Sequence, residues 1–168
     1  MEWTGARYAD KPTVEVRTWI GAAPERVWKL VSDVELMPSL SDELQSVEWL
    51  DGAERPAVGV RFVGRSRHEA LGEWATTSTV IECAPERQFA WVVGDPDHPT
   101  AMWRFRLEPR ADGTELTEWM QMGPARSGLS VAIDRMPGKE RKIVFVRMRE
   151  FERNMTVTLE RIKKLAES

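Results

Sequence analysis

Within Thr114–Met122, the residues Leu116, Glu118, Met120 and Met122 fall on one face of an alternating strand. If Leu116 and Met120 point inward, so does Glu118. A carboxyl in an apolar interior has its charged form disfavoured, which raises its pKa towards values useful for proton transfer. Such a group can hydrogen-bond a ligand hydroxyl or serve as a general acid or base. In the competing reading Glu118 pairs with an arginine near a cavity rim, with Arg147 as the partner, and only supports the fold. The other chemistry is sparse. His68 and His98 have no metal-ligand spacing, and no glycine-rich phosphate loop opens a helix. There is no Gly-x-Ser-x-Gly elbow, so hydrolase, kinase and dehydrogenase readings lack their residues. Cys83, alone, excludes an internal disulfide and reads as a small structural residue near a strand end.

Tryptophan is abundant instead. Trp74, Thr76, Ser78 and Val80 share one strand face; Phe89, Trp91 and Val93 share another, and Trp103, Phe105 and Leu107 a third. In Gly59–Arg67, Phe62, Gly64 and Ser66 lie on one face and Arg61, Val63, Arg65 and Arg67 on the other, the arginines towards solvent. A glycine inside a strand bends it or admits a close neighbour. Facing one interior, these rows make an aromatic lining with a few small hydroxyls, suited to an apolar or aromatic molecule held by a few polar groups. For most of the tryptophans a packed core is the plainer expectation.

The elements that must position them are legible. Lys139–Ser168 reads as one amphipathic helix, with Val144, Met148, Phe151, Met155, Leu159, Ile162 and Ala166 at steps of four and three. Arg149, Arg153, Glu160 and Lys164 fall opposite, while Asn154 and Thr158 flank the stripe as polar contacts for a ligand. Such a helix is on the order of 40 Å long and needs a broad curved sheet, or a partner, to cover it. Thr13–Ile20 alternates as a first strand, and Ala22-Ala23-Pro24-Glu25 opens a short helix, with proline suited to its first turn. Asp33 caps a second short turn. Strands are expected over 44–50, 58–67, 74–82, 89–93, 101–108 and 114–122, joined by short turns as an antiparallel meander. The loop Gly94–Pro99 and the looser Gly123–Gly138 segment are the expected mobile parts, the latter as a lid.

At 168 residues one domain is expected over 1–168, with 1–12 as an N-terminal extension. The net charge of −3 makes no demand for nucleic acid. The basic bias of 135–164, ten Lys/Arg against four Asp/Glu, reads as a solvated helix face rather than a membrane or anion site. No apolar run is long enough for stable membrane insertion. The opening residues lack signal-peptide features, which suggests the cytoplasm.

Taken in order, Ala23-Pro24-Glu25-Arg26-Val27-Trp28 with Ser32-Asp33, Gly59-x-x-Phe62-x-Gly64-Arg65-Ser66-Arg67, Glu73-Trp74 with Thr76-Thr77, Trp103, Gly113-Thr114-x-Leu116-Thr117-Glu118 and the terminal helix resemble the START/SRPBCC superfamily, in its bacterial polyketide cyclase/dehydrase-like branch. The resemblance spans Val14–Ser168. It implies an α+β helix-grip fold: a seven-stranded antiparallel sheet curved around a long C-terminal helix, two short helices after the first strand, and a cavity between. It also implies hydrophobic ligands, with a minority of members acting as enzymes. Two features depart from the branch: Leu36-Met37-Pro38-Ser39-Leu40 stands where an aromatic residue is frequent, and Ser66 where asparagine is. The only tyrosine, Tyr8, precedes the first strand, so no strand offers a phenol to a polyketide.

The expected function is therefore binding or carriage of a hydrophobic small molecule (a lipid, polyketide or aromatic metabolite), without metal or cofactor. Phe62, Ser66, Trp74, Ser78, Trp91, Trp103, Glu118, Met120, Met148, Phe151, Asn154 and Met155 are the expected ligand contacts. The alternatives are an aromatase/cyclase-type enzyme using Glu118, and a protein-interaction module using the exposed sheet or the basic helix face.

Overall fold

The computed structural model describes residues Met1–Ser168. Seven antiparallel strands form one sheet: β1 (Thr13–Ile20), β2 (Leu44–Trp49), β3 (Arg61–His68), β4 (Gly72–Ala84), β5 (Gln88–Asp95), β6 (His98–Arg110) and β7 (Gly113–Met122). Their spatial order is β1-β7-β6-β5-β4-β3-β2. Strands two to seven are thus a meander, and β1 adds to its far edge beside β7. The chain crosses from β1 to the opposite edge through α1 (Pro24–Val31) and α2 (Met37–Leu40). Pro24 occupies the first turn of α1, where no backbone donor is needed. Asp33 accepts a 3.1 Å bond from the Glu35 amide and caps the turn before α2. At the β1–β7 edge Gly113 has a purpose beyond its hairpin, because a Cβ there would meet the Ile20 carbonyl oxygen at 2.1 Å.

Several strand ends differ from the sequence pattern by one or two residues, and two places differ by more. The third strand begins at Arg61 rather than Val58, because Gly59 takes a φ of +90° and the Val60 amide closes a turn on the Ala57 carbonyl at 3.1 Å. The expected Gly94–Pro99 loop shrinks to a tight turn, with Gly94 paired to Pro99 and Asp95 to His98 across the ladder. Backbone pairing there continues past the last apolar side chain, so periodicity alone underestimates both strands. Half of the looser 123–138 segment is helical: α3 spans Gly128–Arg135, its entry fixed by Ser130 Oγ accepting from the Ser127 amide at 3.0 Å.

The terminal helix α4 runs 28 residues, Glu140–Glu167. Val144, Met148, Met155, Leu159, Ile162 and Ala166 are buried, and Arg149, Arg153, Glu160 and Lys164 are exposed. Phe151, in the middle of the stripe, is only half-buried. The stripe enters two apolar clusters, changing from one to the other between Met155 and Leu159. Leu159, Ile162 and Ala166 pack with Ile20, Val27, Val31, Phe89 and Leu116. Val144, Met148 and Met155 pack with Val14, Met120, Met122, Leu129 and Ile133, the last two from α3. The result is the helix-grip arrangement. No helix is long and apolar enough to cross a membrane.

Met155 is 2% exposed, so Met155→Asp places an unpaired charge in the seam between helix and sheet. The expected cost is about 3–5 kcal/mol. That corresponds to a thermal midpoint lower by roughly 10 °C for a chain of this size. Calorimetry showing a fall of only a degree or two would mean the seam is not closed.

Candidate functional site: a cavity between sheet and helix

Between the inner face of the sheet and α4 lies a cavity of about 560 Å³. Of the sequence-derived candidates, β3 contributes Phe62 and Ser66, β4 Trp74 and Ser78, β5 Trp91, β6 Trp103, β7 Glu118 and Met120, and α4 Phe151, Asn154 and Met155. Met148 is the exception. It packs into the second apolar cluster with Leu129 and Ile133 of α3 and is absent from the cavity wall, although Arg147 beside it belongs to that wall. Sequence spacing places it on the same stripe but cannot show where along that stripe the sheet and helix separate. The wall also includes residues the sequence did not single out as contacts: Met37, Leu40 and Ser41 around α2, Glu43, Thr100 and Ala101, and Ser127 to Leu129 at the start of α3.

The aromatic lining is continuous. Trp91 and Trp103 face each other across the β5–β6 ladder and stack, with centroids 6.4 Å apart and planes 10° from parallel. Phe62 meets Trp91 edge-on at 6.1 Å, and Phe151 on the helix meets Trp103 edge-on at 5.4 Å. These geometries are the ones the aromatic quadrupole favours. The second contact explains the exposure of Phe151: it reaches across the open middle of the seam to the sheet.

Glu118 stands in a cross-strand row with Phe89, Phe105 and Val16, all of them apolar. It is 5% exposed, and its Oε2 is buried without a hydrogen-bond partner. Burial pushes its pKa up to about 8. The carboxyl therefore holds its proton at neutral pH and is a hydrogen-bond donor as well as an acceptor. The expected pairing with Arg147 does not occur.

Arg147 is instead committed elsewhere. Its guanidinium grips Glu43 in a two-pronged pair, Nη1 to Oε2 and Nη2 to Oε1, both at 2.7 Å, and lies 3.4 Å from Glu150 Oε2. Its Cζ sits 4.2 Å above the Phe151 ring. Asn154 Nδ2 donates to Glu43 Oε2 at 3.0 Å. Glu43 comes from an irregular loop with no periodic signal. Arg147 did carry one, because it lies three residues after Val144 and four before Phe151, inside the arc of the apolar stripe. Glu43, His68 and Glu150 bring donor atoms within 4.8 Å of one another, but the set does not suit a metal ion. Both Glu43 oxygens are held by Arg147. His68 Nδ1 accepts from the Ala70 and Leu71 amides at 3.0 and 3.2 Å, which puts the ring hydrogen on Nε2, facing Glu150. A metal on Nε2 would have to displace that hydrogen and leave an imidazolate.

The raised Glu118 pKa has a signed consequence for stability. Between about 4.5, the ordinary value, and about 8 the native state holds a proton that the unfolded chain releases. This contribution to stability is full below the lower value, falls as pH rises towards the upper one, and is flat beyond it. Glu118→Gln keeps the shape of the protonated acid and removes the titration. The variant is expected to match wild type near pH 5 and to exceed its thermal midpoint near pH 9 by roughly 5 °C or more. Parallel melting curves at both pH values would show that the carboxyl is not held neutral.

Residues 11–167 match the family described as polyketide cyclase / dehydrase and lipid transport. The Polyketide_cyc-like protein Cgl2372 from Corynebacterium glutamicum, solved by NMR in solution, is 30% identical, with 91% of this chain and 90% of that one covered at a TM-score of 0.65. The di-domain ARO/CYC proteins StfQ, of the steffimycin biosynthetic pathway, and BexL, of the BE-7585A pathway, share the fold at 13% and 17% identity, each with a TM-score of 0.69. This chain covers 50% of StfQ and 53% of BexL, with 92% and 99% of itself aligned. No curated protein matches the sequence. The match to the family runs over nearly the whole chain and the helix-grip fold accompanies it, so this chain belongs to the polyketide cyclase / dehydrase and lipid transport family.

Proposed function

We propose that the chain binds and carries an uncharged hydrophobic small molecule in the cavity between sheet and helix. The observation that carries this reading is the cavity itself: of its 33 lining residues 20 are hydrophobic, and its size is that of a site for a drug-sized ligand. A well-packed core leaves no void of this size, because each unfilled volume forfeits dispersion contacts. α3 supplies the cover, with Ser127, Gly128 and Leu129 on the cavity side and Leu129 and Ile133 anchored in the core. Tyr8 fastens that cover from outside, donating to the Ala125 carbonyl at 2.6 Å with its oxygen 3.1 Å from Ser127 Oγ.

A cyclase-type reaction is the alternative, and Glu118 is the one observation in its favour. An acid with a pKa of about 8 in an apolar wall suits proton transfer to a polyketone oxygen. The ARO/CYC neighbours point the same way, but at their level of identity they speak for the fold. Carriage is favoured because the only other carboxylate in the wall, Glu43, is locked by Arg147 and leaves no free base to work with the acid.

Ala101 lies in the wall on the same face of β6 as Trp103, so Ala101→Phe fills the cavity without adding charge. Binding of N-phenyl-1-naphthylamine, followed by its fluorescence, is expected to weaken at least about tenfold, the effect of losing roughly 1.4 kcal/mol of contact. Native mass spectrometry of wild type from its own host is expected to show a co-purified neutral molecule that the variant lacks. Undiminished probe binding to Ala101→Phe would place the probe elsewhere and sink the cavity reading. Turnover of a poly-β-ketone mimic that Glu118→Gln abolishes would replace carriage with catalysis.

A further inference from the structure

We infer that Glu118 is the specificity-determining residue of the cavity: it donates one hydrogen bond from the sheet side to an acceptor oxygen of a neutral ligand, and so selects such molecules over hydrocarbons, anions and amines of the same shape. This rests on the proposed ligand-binding role and assigns its polar recognition to one atom group.

The inference follows from which polar groups of the wall are free. Those on the helix side are committed: Arg147 and Asn154 to Glu43, and Thr158 Oγ1 to the Leu40 carbonyl at 2.9 Å. Thr100 Oγ1 faces the Val93 carbonyl at 3.4 Å. On the sheet side Ser66, Thr76 and Ser78 offer hydroxyls and Trp74, Trp91 and Trp103 offer indole N–H groups, none of which titrates in the working range. Glu118 alone combines burial, a titratable hydrogen and an oxygen with no partner. Leaving that group unsatisfied carries a penalty that a ligand oxygen removes on binding.

The groups around Glu118 set its charge preference. From β1 it faces Val16 and from β6 Phe105, its cross-strand partners. Met120 shares its strand face, and α4 presents Phe151, Met155 and Leu159 to the same interior. The only other charged groups in the wall are Glu43 and Arg147, paired with each other. No cation stands by to stabilise an ionised Glu118 or to receive a ligand carboxylate. A fatty-acid anion would add a second uncompensated charge to the same low-dielectric space. A ligand amine would need Glu118 ionised and would itself have to shed its water. A carbonyl or ether oxygen demands neither.

Three probes on one skeleton separate these cases: 2-acetylnaphthalene, 2-isopropylnaphthalene and 1-(2-naphthyl)ethylamine, with affinities from quenching of tryptophan fluorescence. At pH 6 wild type is expected to bind the ketone about tenfold more tightly than the hydrocarbon, the worth of one good hydrogen bond. The preference should fade as pH rises past about 8, where Glu118 loses its hydrogen. Glu118→Gln, whose amide still donates, should keep most of the preference and show no pH dependence. Glu118→Leu should bind both equally. Equal binding of ketone and hydrocarbon by wild type at pH 6 would overturn the inference while leaving the cavity-binding role standing. So would tightest binding of the amine with loss of that affinity in Glu118→Gln. If none of the three probes binds wild type, the cavity-binding role fails and takes this inference with it.

Discussion

The constraint on which the structure depends is the length of α4. Twenty-eight residues of helix present one apolar stripe that a single sheet has to cover. A twisted sheet meets a straight rod well over limited lengths, and here it does so twice. Leu159, Ile162 and Ala166 close one end against β1, α1 and β7, while Val144 and Met148 close the other with help from α3. Between the two closures the surfaces diverge. Phe151 spans part of the gap by reaching to Trp103, and the rest is the cavity. The void is thus a consequence of how sheet and helix meet, and the two flanking cores supply the stability that lets it persist.

The wall of that void holds two carboxylates under opposite treatments. Glu43 is fully compensated, with two charge-assisted bonds from Arg147 and one from Asn154, and Arg147 in turn rests on the Phe151 ring. The guanidinium is nearly buried, so removing Glu43 would leave it only the longer 3.4 Å contact with Glu150, a destabilising change. This pair ties the loop before β2 to α4 and reads as structure. Glu118 receives no compensation and answers burial by keeping its proton. A neutral acid without a partner still carries a desolvation penalty, but a far smaller one than a bare carboxylate would. One acid therefore secures the wall, and the other keeps a hydrogen-bonding oxygen without a partner.

Much of this was legible in the residues. The four-and-three spacing of the last helix locates both its buried stripe and its solvent face, and strict alternation puts Glu118 on the same face as Leu116 and Met120, which are buried. Pro24 and Asp33 marked helix starts that the structure shows at those positions. What escaped has a common physical cause, namely dependence on long-range pairing. Nothing local in Ser41-Asp42-Glu43 shows that it meets Arg147, 104 positions away. The assignment of Arg147 to Glu118 treated a stripe-facing arginine as free when a nearer acid already held it. Met148 failed as a cavity residue for a related reason, because facing inward is a local property and facing a void is not. The strand ends at Val58 and at Gly94–Pro99 differ from the sequence pattern because backbone pairing and side-chain burial stop at different residues.

The position of Glu118 is the sharpest point of conflict between local rules and the observed chain. Its row across the sheet is Phe89, Phe105 and Val16, and a leucine there would satisfy alternation, burial and packing at once. The glutamate forgoes that gain, adds an unsatisfied oxygen and ties stability to pH. No fold-supporting partner offsets these costs, in contrast to Glu43. Sequences that specify a structure are consistent across levels, and their exceptions concentrate where function overrides stability. An uncompensated acid inside an aromatic cavity is such an exception: its burial and its unpaired oxygen are costs that nothing else in the fold offsets.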